Sequence, residues 1–503
     1  QEAVQTENIP LYAGVGYLGQ GANVTTVKRI YDQFLTAQVQ SGQAATSAAD
    51  QLNSLLSGLS KYMSDSNSGL SSALTSFFNG ADGLASNPSS TTARQVFLNA
   101  ASGLQSRFNS IAGQLNALSG QVNTQVQTQI SSVNGTAQQI AALNDQIAKA
   151  EASTGQPAND LRDQRDQLVQ TLNQSIKASV VQTGDGQYNI YVGNGQALVQ
   201  GNQSYQLTAV PSQYDPTQLS VGYKSPAGTV SIDDSQLGGG ALGALMDFRR
   251  NTLIPAQNSL GRLAAAVSAD VNAQNKLGMD ANGNMGTDLF SVAGPSVAPS
   301  SNNTGSAAVS SISVDSTYAS APLTSPISLT YSSAVGGSLS GFPGNVTVTA
   351  NGTSTTYSGG TAPYTQGATY AFNGVQMTLS GTPGNGDTFT ISANTANSTD
   401  NGNASALAKL RNATLLDGGT ASIGTAWNSL VTQVGVQANT AGTNLTSQKA
   451  LLASSTSQQQ SVSGVNLDDE AMNLMKYQQA YQAAAQVIST ANTTFQTLLN
   501  AVQ

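Results

Sequence analysis

Two residue types on which much of enzyme and metal chemistry draws are missing: the 503 residues include no cysteine and no histidine. Their absence excludes disulfides, thiol nucleophiles, imidazole general bases and the commonest metal ligands together. Charge is scarce as well. Asp, Glu, Lys and Arg make up 9% of the chain, against about 25% in ordinary globular proteins, so solubility rests on Ser, Thr, Asn and Gln. The 18 Lys and Arg are scattered singly within a net charge of −8, which leaves no basic stripe to track a phosphate backbone; nucleic acid is not an expected partner. No apolar run reaches the roughly 18 residues that span a bilayer, so no membrane insertion is expected, and residues 1–10 lack the basic and apolar regions of a cleavable signal. The missing cysteine does not itself assign a compartment, because large secreted proteins can build cores without disulfides.

What is present is enough to fold. Hydrophobic residues make up 39% of the chain and recur with clear periods, and the length calls for several domains. The spacing predicts helix over residues 24–78, with Val27, Ile30, Phe34, Leu52, Leu55, Leu56 and Leu59 at helical intervals and a break near Asn67. After a loop at 80–90, Ser89, Ser90, Thr91 and Thr92 offer caps for a second long helix. Its later part sets Val122, Val126, Ile130, Val133, Ala137, Ile140 and Ile147 on one stripe. Thr154-Gly155-Gln156-Pro157 ends it. Asn159-Asp160 opens a shorter helix in which Arg162, Asp163, Arg165 and Asp166 read as a solvated face.

Past Lys177 the period becomes two, with Gly184-Asp185-Gly186 and Gly193-Asn194-Gly195 as turns between short antiparallel strands. Helix returns after Gly238, kinked at Pro255 and ending near Leu277. A second β segment carries an Asn351-Gly352 hairpin and a further hairpin joining residues 375–379 to 388–391. Helical spacing resumes near Ala404 and is strongest after Trp427, which reads as a core anchor, until a break at 458–463. The expected fold class is α+β and multidomain. An elongated helical bundle or coiled-coil domain, residues 1–177 plus 403–503, carries two inserted, mainly antiparallel β regions at 178–238 and 300–402, with a helical connecting segment at 239–299.

The terminal helix is the most patterned element. Leu474, Tyr477, Tyr481, Ala484, Ile488, Ala491, Phe495, Leu498 and Val502 alternate steps of three and four, the seam of a heptad repeat. Asp468, Asp469 and Glu470 complement the helix dipole in its first turn. Residues 466–502 would span about 55 Å, more than a compact domain requires, so part of the seam is expected to meet other chains.

Other chemistry is poorly supported. Asp280, Asn282 and Asn284 alternate as in a calcium loop, but Met285 stands where glycine is needed and Ser291 where the bidentate glutamate belongs. Asp233-Asp234 and Asp468-Asp469-Glu470 are adjacent acids rather than a pair flanking a cleft, and read as surface charge. Gly238-Gly239-Gly240 lacks the lysine and hydroxyl of a phosphate loop. No cofactor and no catalytic residue is expected.

The run Ser463-Gly-Val-Asn-Leu-Asp-Asp-Glu-Ala-Met-Asn-Leu-Met-Lys-Tyr477, continuing to Asn492, resembles the C-terminal signature of bacterial flagellar axial proteins. Asp160-Leu-Arg-Asp-Gln-Arg-Asp-Gln-Leu-Val169, Gly186-Gln-Tyr-Asn-Ile190, Leu260-Gly-Arg-Leu263, Gly14-Val-Gly16, Val27-Lys-Arg-Ile-Tyr-Asp-Gln-Phe34 and Asp387-Thr-Phe-Thr-Ile391 resemble the hook-associated family of the hook-filament junction. The resemblance implies an extracellular structural subunit, exported through the flagellar type III channel and self-associating as a short ring. Implied partners are hook protein, a second junction protein and a flagellar export chaperone. The implied assembly interface is Val27, Ile30 and Phe34 with Leu474, Tyr477, Tyr481, Ala484, Ile488, Ala491, Phe495 and Leu498. That family carries a further N-terminal segment that pairs with the terminal helix, so truncation or processing ahead of Gln1 is expected. Hook protein itself, or a secreted adhesive or carbohydrate-binding β protein, are the alternatives.

Overall fold

The computed structural model describes all residues except 1, 13–16, 65–68, 89, 213–214, 226–227, 277–285, 292–295, 301, 315–325, 393–403, 415, 417–418 and 503. Gly14-Val-Gly16, the break at Asn67, the calcium-like turn at Asp280 to Asn284 and the helix end at Leu277 therefore lie outside the described residues.

The chain opens as a hairpin, β1 (Glu2–Tyr12) and β2 (Tyr17–Arg29). Helix was expected from Val24. The structure instead holds Val24 to Arg29 in β2, where the β-branched run Val24-Thr25-Thr26-Val27 suits extended backbone better than helix. Four helices follow: α1 (Gln33–Met63), α2 (Leu70–Ser86), α3 (Thr91–Thr154) and α4 (Asn159–Ser175). Asp32 caps α1 by accepting from the Leu35 N–H, and Ser90 caps α3 by accepting from Ala93. At 64 residues α3 is about 96 Å long, and its stripe from Val122 to Ile147 is buried. Gly155 ends it in the left-handed conformation.

The first β region has two sheets. β3 (Ala178–Gln182), β4 (Tyr188–Val192), β5 (Gln196–Gln200) and β6 (Gln203–Ser204) form one; β7 (Gln206–Pro211), β8 (Leu219–Ser225) and β9 (Gly228–Ser231) form the other. Three asparagines of α3 bind them. Asn123 donates to Thr217 O (2.8 Å) and accepts from Leu219 N (3.0 Å). Asn134 bonds both backbone groups of Leu207 (2.8 and 2.9 Å). Asn144 donates to the carbonyls of Tyr188 (2.8 Å) and Gly201 (2.7 Å) and accepts from Tyr188 N (3.1 Å). Each side-chain amide thus does for a strand what a neighbouring strand would do.

α5 (Gly240–Phe248) and α6 (Ile254–Lys276) are joined by a π-helical segment at Arg249–Leu253. Pro255 has no N–H to give to Asn251, and one residue earlier Ile254 N reaches back to Arg249 O. The expected kink is therefore absorbed as a π-bulge. Gly240, at φ 67°, could carry no Cβ, which would sit 2.5 Å from Ile176 N.

The second β region is a sandwich. β10 (Ser296–Pro299), β12 (Ile327–Ser332), β13 (Ser338–Ser340), β16 (Thr361–Pro363) and β19 (Thr388–Ser392) make one sheet; β11 (Ala308–Val314), β14 (Val346–Ala350), β15 (Thr353–Tyr357), β17 (Thr369–Phe372) and β18 (Val375–Ser380) make the other. The Asn351-Gly352 turn joins β14 to β15 with φ of 51° and 79°. The second expected hairpin does not form: β18 pairs with β17 and β11, while β19 pairs with β10 and β12 in the opposite sheet. The connection crosses between layers because the buried Asp387 anchors it, accepting from the N–H groups of Thr304 (2.7 Å), Gly305 (2.9 Å) and Gly384 (2.8 Å).

The chain then returns through α7 (Ala404–Lys409) to α8 (Ile423–Ser463), antiparallel to α1, and ends in α9 (Leu467–Val502). Trp427 is buried. No break falls at 458–463, since α8 runs through to Ser463.

One carboxyl in the helical body is poorly housed. Asp270 on α6 has a buried Oδ2 with no hydrogen-bond partner among the described residues, and burial raises its pKa to about 6. Its folded value exceeds its unfolded one, so the folded state holds the extra proton and stability falls as pH rises from about 4 to about 6. Asp270→Asn is expected to raise stability at pH 7 by roughly 1–2 kcal/mol and to flatten that slope, measured by urea unfolding across the pH range.

Candidate assembly surface

At the root of the hairpin, two of the residues expected to face solvent, Arg165 and Asp166, are buried, while Arg162 is half-buried and Asp163 is exposed as expected. Helical spacing sets Arg165, Asp166, Val169, Leu172 and Asn173 on one face of α4, against α3 and the first sheet. Arg165 is 1% exposed; its guanidinium lies 3.5 Å from the ring centre of Tyr188 and donates to Asn144 Oδ1 (2.8 Å) and Gly186 O (3.0 Å). Asp166 accepts from the Tyr188 hydroxyl (2.8 Å) and from Arg29. Arg29 also pairs with Asp163 at 3.0 Å. Arg165, Asp166 and Arg29 are balanced in part by the exposed Asp163, which helps to permit the burial of the other three.

Burial lowers the Arg165 pKa and raises that of Tyr188, the latter helped by the Asp166 charge. For Arg29 burial pulls downward, but its bond to Asp166 and the charges of Asp166 and Asp163 outweigh it, and the pKa is raised. Beside the cluster, Glu151 takes Arg162 in a two-pronged pair (2.7 and 2.8 Å) that lowers its own pKa. Gln156 and Asn159 donate to the carbonyls of Thr25 and Val27, both at 2.9 Å. The hairpin thus leaves the body at a fixed angle. Apart from Val27, none of these residues was singled out from sequence as part of the assembly surface; the available signal was the position of Arg165 and Asp166 on the same helical face as Val169 and Leu172.

A second expected surface charge is also tied down. Asp234 pairs with the buried Arg249 at 3.0 Å, and Arg249 further donates to Leu219 O at 2.7 Å. Burial raises the Asp234 pKa against the pull of Arg249.

The terminal helix is different. From Leu467 to Leu498 every side chain is exposed. Tyr477 is 73% exposed, Tyr481 77%, Ile488 62% and Phe495 64%, and Leu474, Ala484, Ala491 and Leu498 are exposed with them. Of the N-terminal seam residues, Val27 is a half-buried member of β2, Ile30 is half-buried ahead of α1, and Phe34 is 75% exposed in the first turn of α1. The seam of α9 is therefore laid out but covered by none of the described residues. Residues 464–466 separate α9 from α8. Gly464 is extended (φ −76°, ψ 160°), and a Cβ there would lie 2.3 Å from Gln460 O. Asn466 caps α9, accepting from Asp468 N at 3.1 Å.

Residues 56–290 match the family described as "Flagellar hook-associated protein FlgK helical domain", residues 295–393 "Flagellar hook-associated protein 1, D3 domain", and residues 457–501 "Flagellar basal body rod FlgEFG protein C-terminal". Flagellar hook-associated protein 1 of Escherichia coli K12 is 35% identical, over 98% of this chain and 92% of its own. The chain belongs to the flagellar hook-associated protein 1 family. Its counterpart in Salmonella typhimurium LT2 matches at 35% over the same shares, and that of Bacillus subtilis 168 at 23% over 94% of this chain and 84% of its own. Among solved structures, the flagellar hook junction protein FlgK from Burkholderia pseudomallei is similar with a TM-score of 0.66 and 29% identity, over 85% of this chain and all of that one. The α+β multidomain fold expected from sequence is the fold observed.

Arg165→Met is expected to cost roughly 3–5 kcal/mol, because Asn144 Oδ1 and Gly186 O lose their donor inside the protein and the buried Asp166 loses a nearby countercharge. Arg165→Lys should recover only part of this, since an ammonium cannot lie flat on Tyr188 while serving two acceptors. Thermal unfolding followed by circular dichroism checks both.

Proposed function

We propose that the chain is a structural subunit of the bacterial flagellum that forms the junction between hook and filament, assembling with its neighbours through helix contacts made by α9. The observation that carries this reading is an unbroken heptad seam on a helix exposed along its described length. Covering one large apolar side chain at such a contact is worth about 1.5–3 kcal/mol, so a seam of this length holds neighbours firmly once several are engaged. Self-association into a short ring, contact with hook protein and a second junction protein, and an export chaperone complete the reading, with an extracellular position reached by type III export. Val27, Ile30 and Phe34 belong to the same interface at the base of the terminal helix.

The division of labour follows the chain. Residues 1–177 and 403–503 form the assembling unit, with its hairpin included; 178–238 and 300–402 are inserted β regions and 239–299 connects them. No enzymatic role is proposed, since the sequence has neither histidine nor cysteine and the acids at the start of α9 are exposed.

Ile488→Asp is expected to abolish filament attachment while leaving the melting of the body and β regions unchanged, because it sets a carboxylate in the middle of the seam. Electron microscopy of cells carrying the variant should show bare hooks, with flagellin shed into the medium. Normal filaments on those cells would refute the seam's role.

A further inference from the structure

α1 and α8 lie antiparallel, and the two ends of the pair are unlike. At one end Gln459 of α8 donates to Thr36 of α1 at 2.9 Å, and α9 departs just beyond. At the other, where α1 finishes and α8 begins, a hollow of about 350 Å³ opens between α1, α3 and α8. That is large enough for a small ligand or a few side chains. Buried Met63, Ile111 and Trp427 make its apolar side, and Lys61, Tyr62 and Arg107 its polar side.

The two cations are unusually placed. Of the nine arginines in the chain, Arg107 alone has no side-chain hydrogen bond or ion pair among the described residues. It is half-buried. The Lys61 ammonium has no such partner either, and no Asp or Glu among the described residues lines the hollow. A half-buried guanidinium without an acceptor has lost part of its hydration, which a carboxylate from outside would replace. The apolar side leaves room for an aliphatic side chain next to that carboxylate.

The first turn of α9 shows this chemistry. Leu467 is 79% exposed, and Asp468, Asp469 and Glu470 follow it, all exposed. The turn precedes the seam, which begins at Leu474, so a partner lying on the seam does not compete for it. Within one chain the two features cannot meet, because α8 runs about 54 Å from Trp427 to Ser463. Subunits stacked end to end in one direction bring the first turn of one onto the hollow of the next. Residues 457–501 match a domain of flagellar rod proteins, so a terminal helix of this kind is not confined to this chain.

We propose that the hollow docks the subunit stacked on that end of the body. It takes the acidic first turn of that subunit's terminal helix, with the aliphatic residue against Trp427 and the carboxylates on Arg107 and Lys61. This rests on the junction reading above and adds an end-to-end contact to it.

The probe is a fluorescein-labelled peptide of residues 463–474, added to the purified full chain and followed by anisotropy. Saturable binding is expected, weakening as salt is raised. Arg107→Gln should weaken it roughly tenfold, the loss of one charge-assisted bond. Gly58 also lines the hollow, and a Cβ there meets nothing within 4 Å. Gly58→Leu should therefore fill the hollow and abolish binding without disturbing the core. Both variants should melt as the parent does, since Arg107 has no partner to lose. A peptide carrying Asp468→Asn, Asp469→Asn and Glu470→Gln should not bind. Absence of saturable binding, equal binding of the neutral peptide, or variants that bind as tightly as the parent would each overturn the docking site. The assay involves no flagellum, so its outcome is separate from the junction reading, which fails if cells lacking the chain carry normal filaments.

Discussion

Backbone groups at the rim of a sheet must find partners, and in a chain with so few charged side chains the partners are neutral amides. The three asparagines of α3 meet that need for both sheets of the first β region. Much else hangs on this. Because Asn144 fixes Tyr188, the Tyr188 ring can receive Arg165; because Arg165 is placed, Asp166 can be buried beside it and pair with Arg29. A line of hydrogen bonds thus runs from the spine helix through a strand and a short helix to the base of the hairpin. Each link is worth only about 1 kcal/mol net, but an unpaired member would cost more than the link supplies, so the line holds or fails together.

The periodic parts of this fold were legible. The stripe of α3, the Asn-Gly hairpin, the strands on either side of Gly184-Asp185-Gly186 and the terminal seam are all where their spacing puts them, because one face of each element answers to a period that the residues display. The misreadings share a cause: the winning term was not local. Val24 to Arg29 became a strand because a partner strand precedes it. β18 and β19 parted because Asp387 pins the connection from inside. Arg165 and Asp166 resembled a solvated face because a charge pattern does not reveal that its countercharges arrive from β2, more than a hundred residues earlier. Pro255 disturbed its helix as expected, yet the form of the disturbance depended on how neighbouring carbonyls were re-satisfied.

The surface proposed for assembly was legible in one half. A heptad seam can be read from residue types, and the fold leaves it exposed. The clamp at the root of the hairpin was not, since its members are scattered over α3, α4, β2 and β4. The two halves differ in kind. The body holds most of its buried charges and amides against partners, while α9 presents a seam that no described residue covers.

The three residues between α8 and α9 have a mechanical meaning. An extended strip of backbone begun by Gly464 resists stretching through its covalent bonds but turns easily about its single bonds. Tension along α9 would reach the body through this strip, whereas a twist of α9 about its own axis would be passed on only weakly. The β regions, which lie on the body's side of the strip, would feel that pull more than that twist.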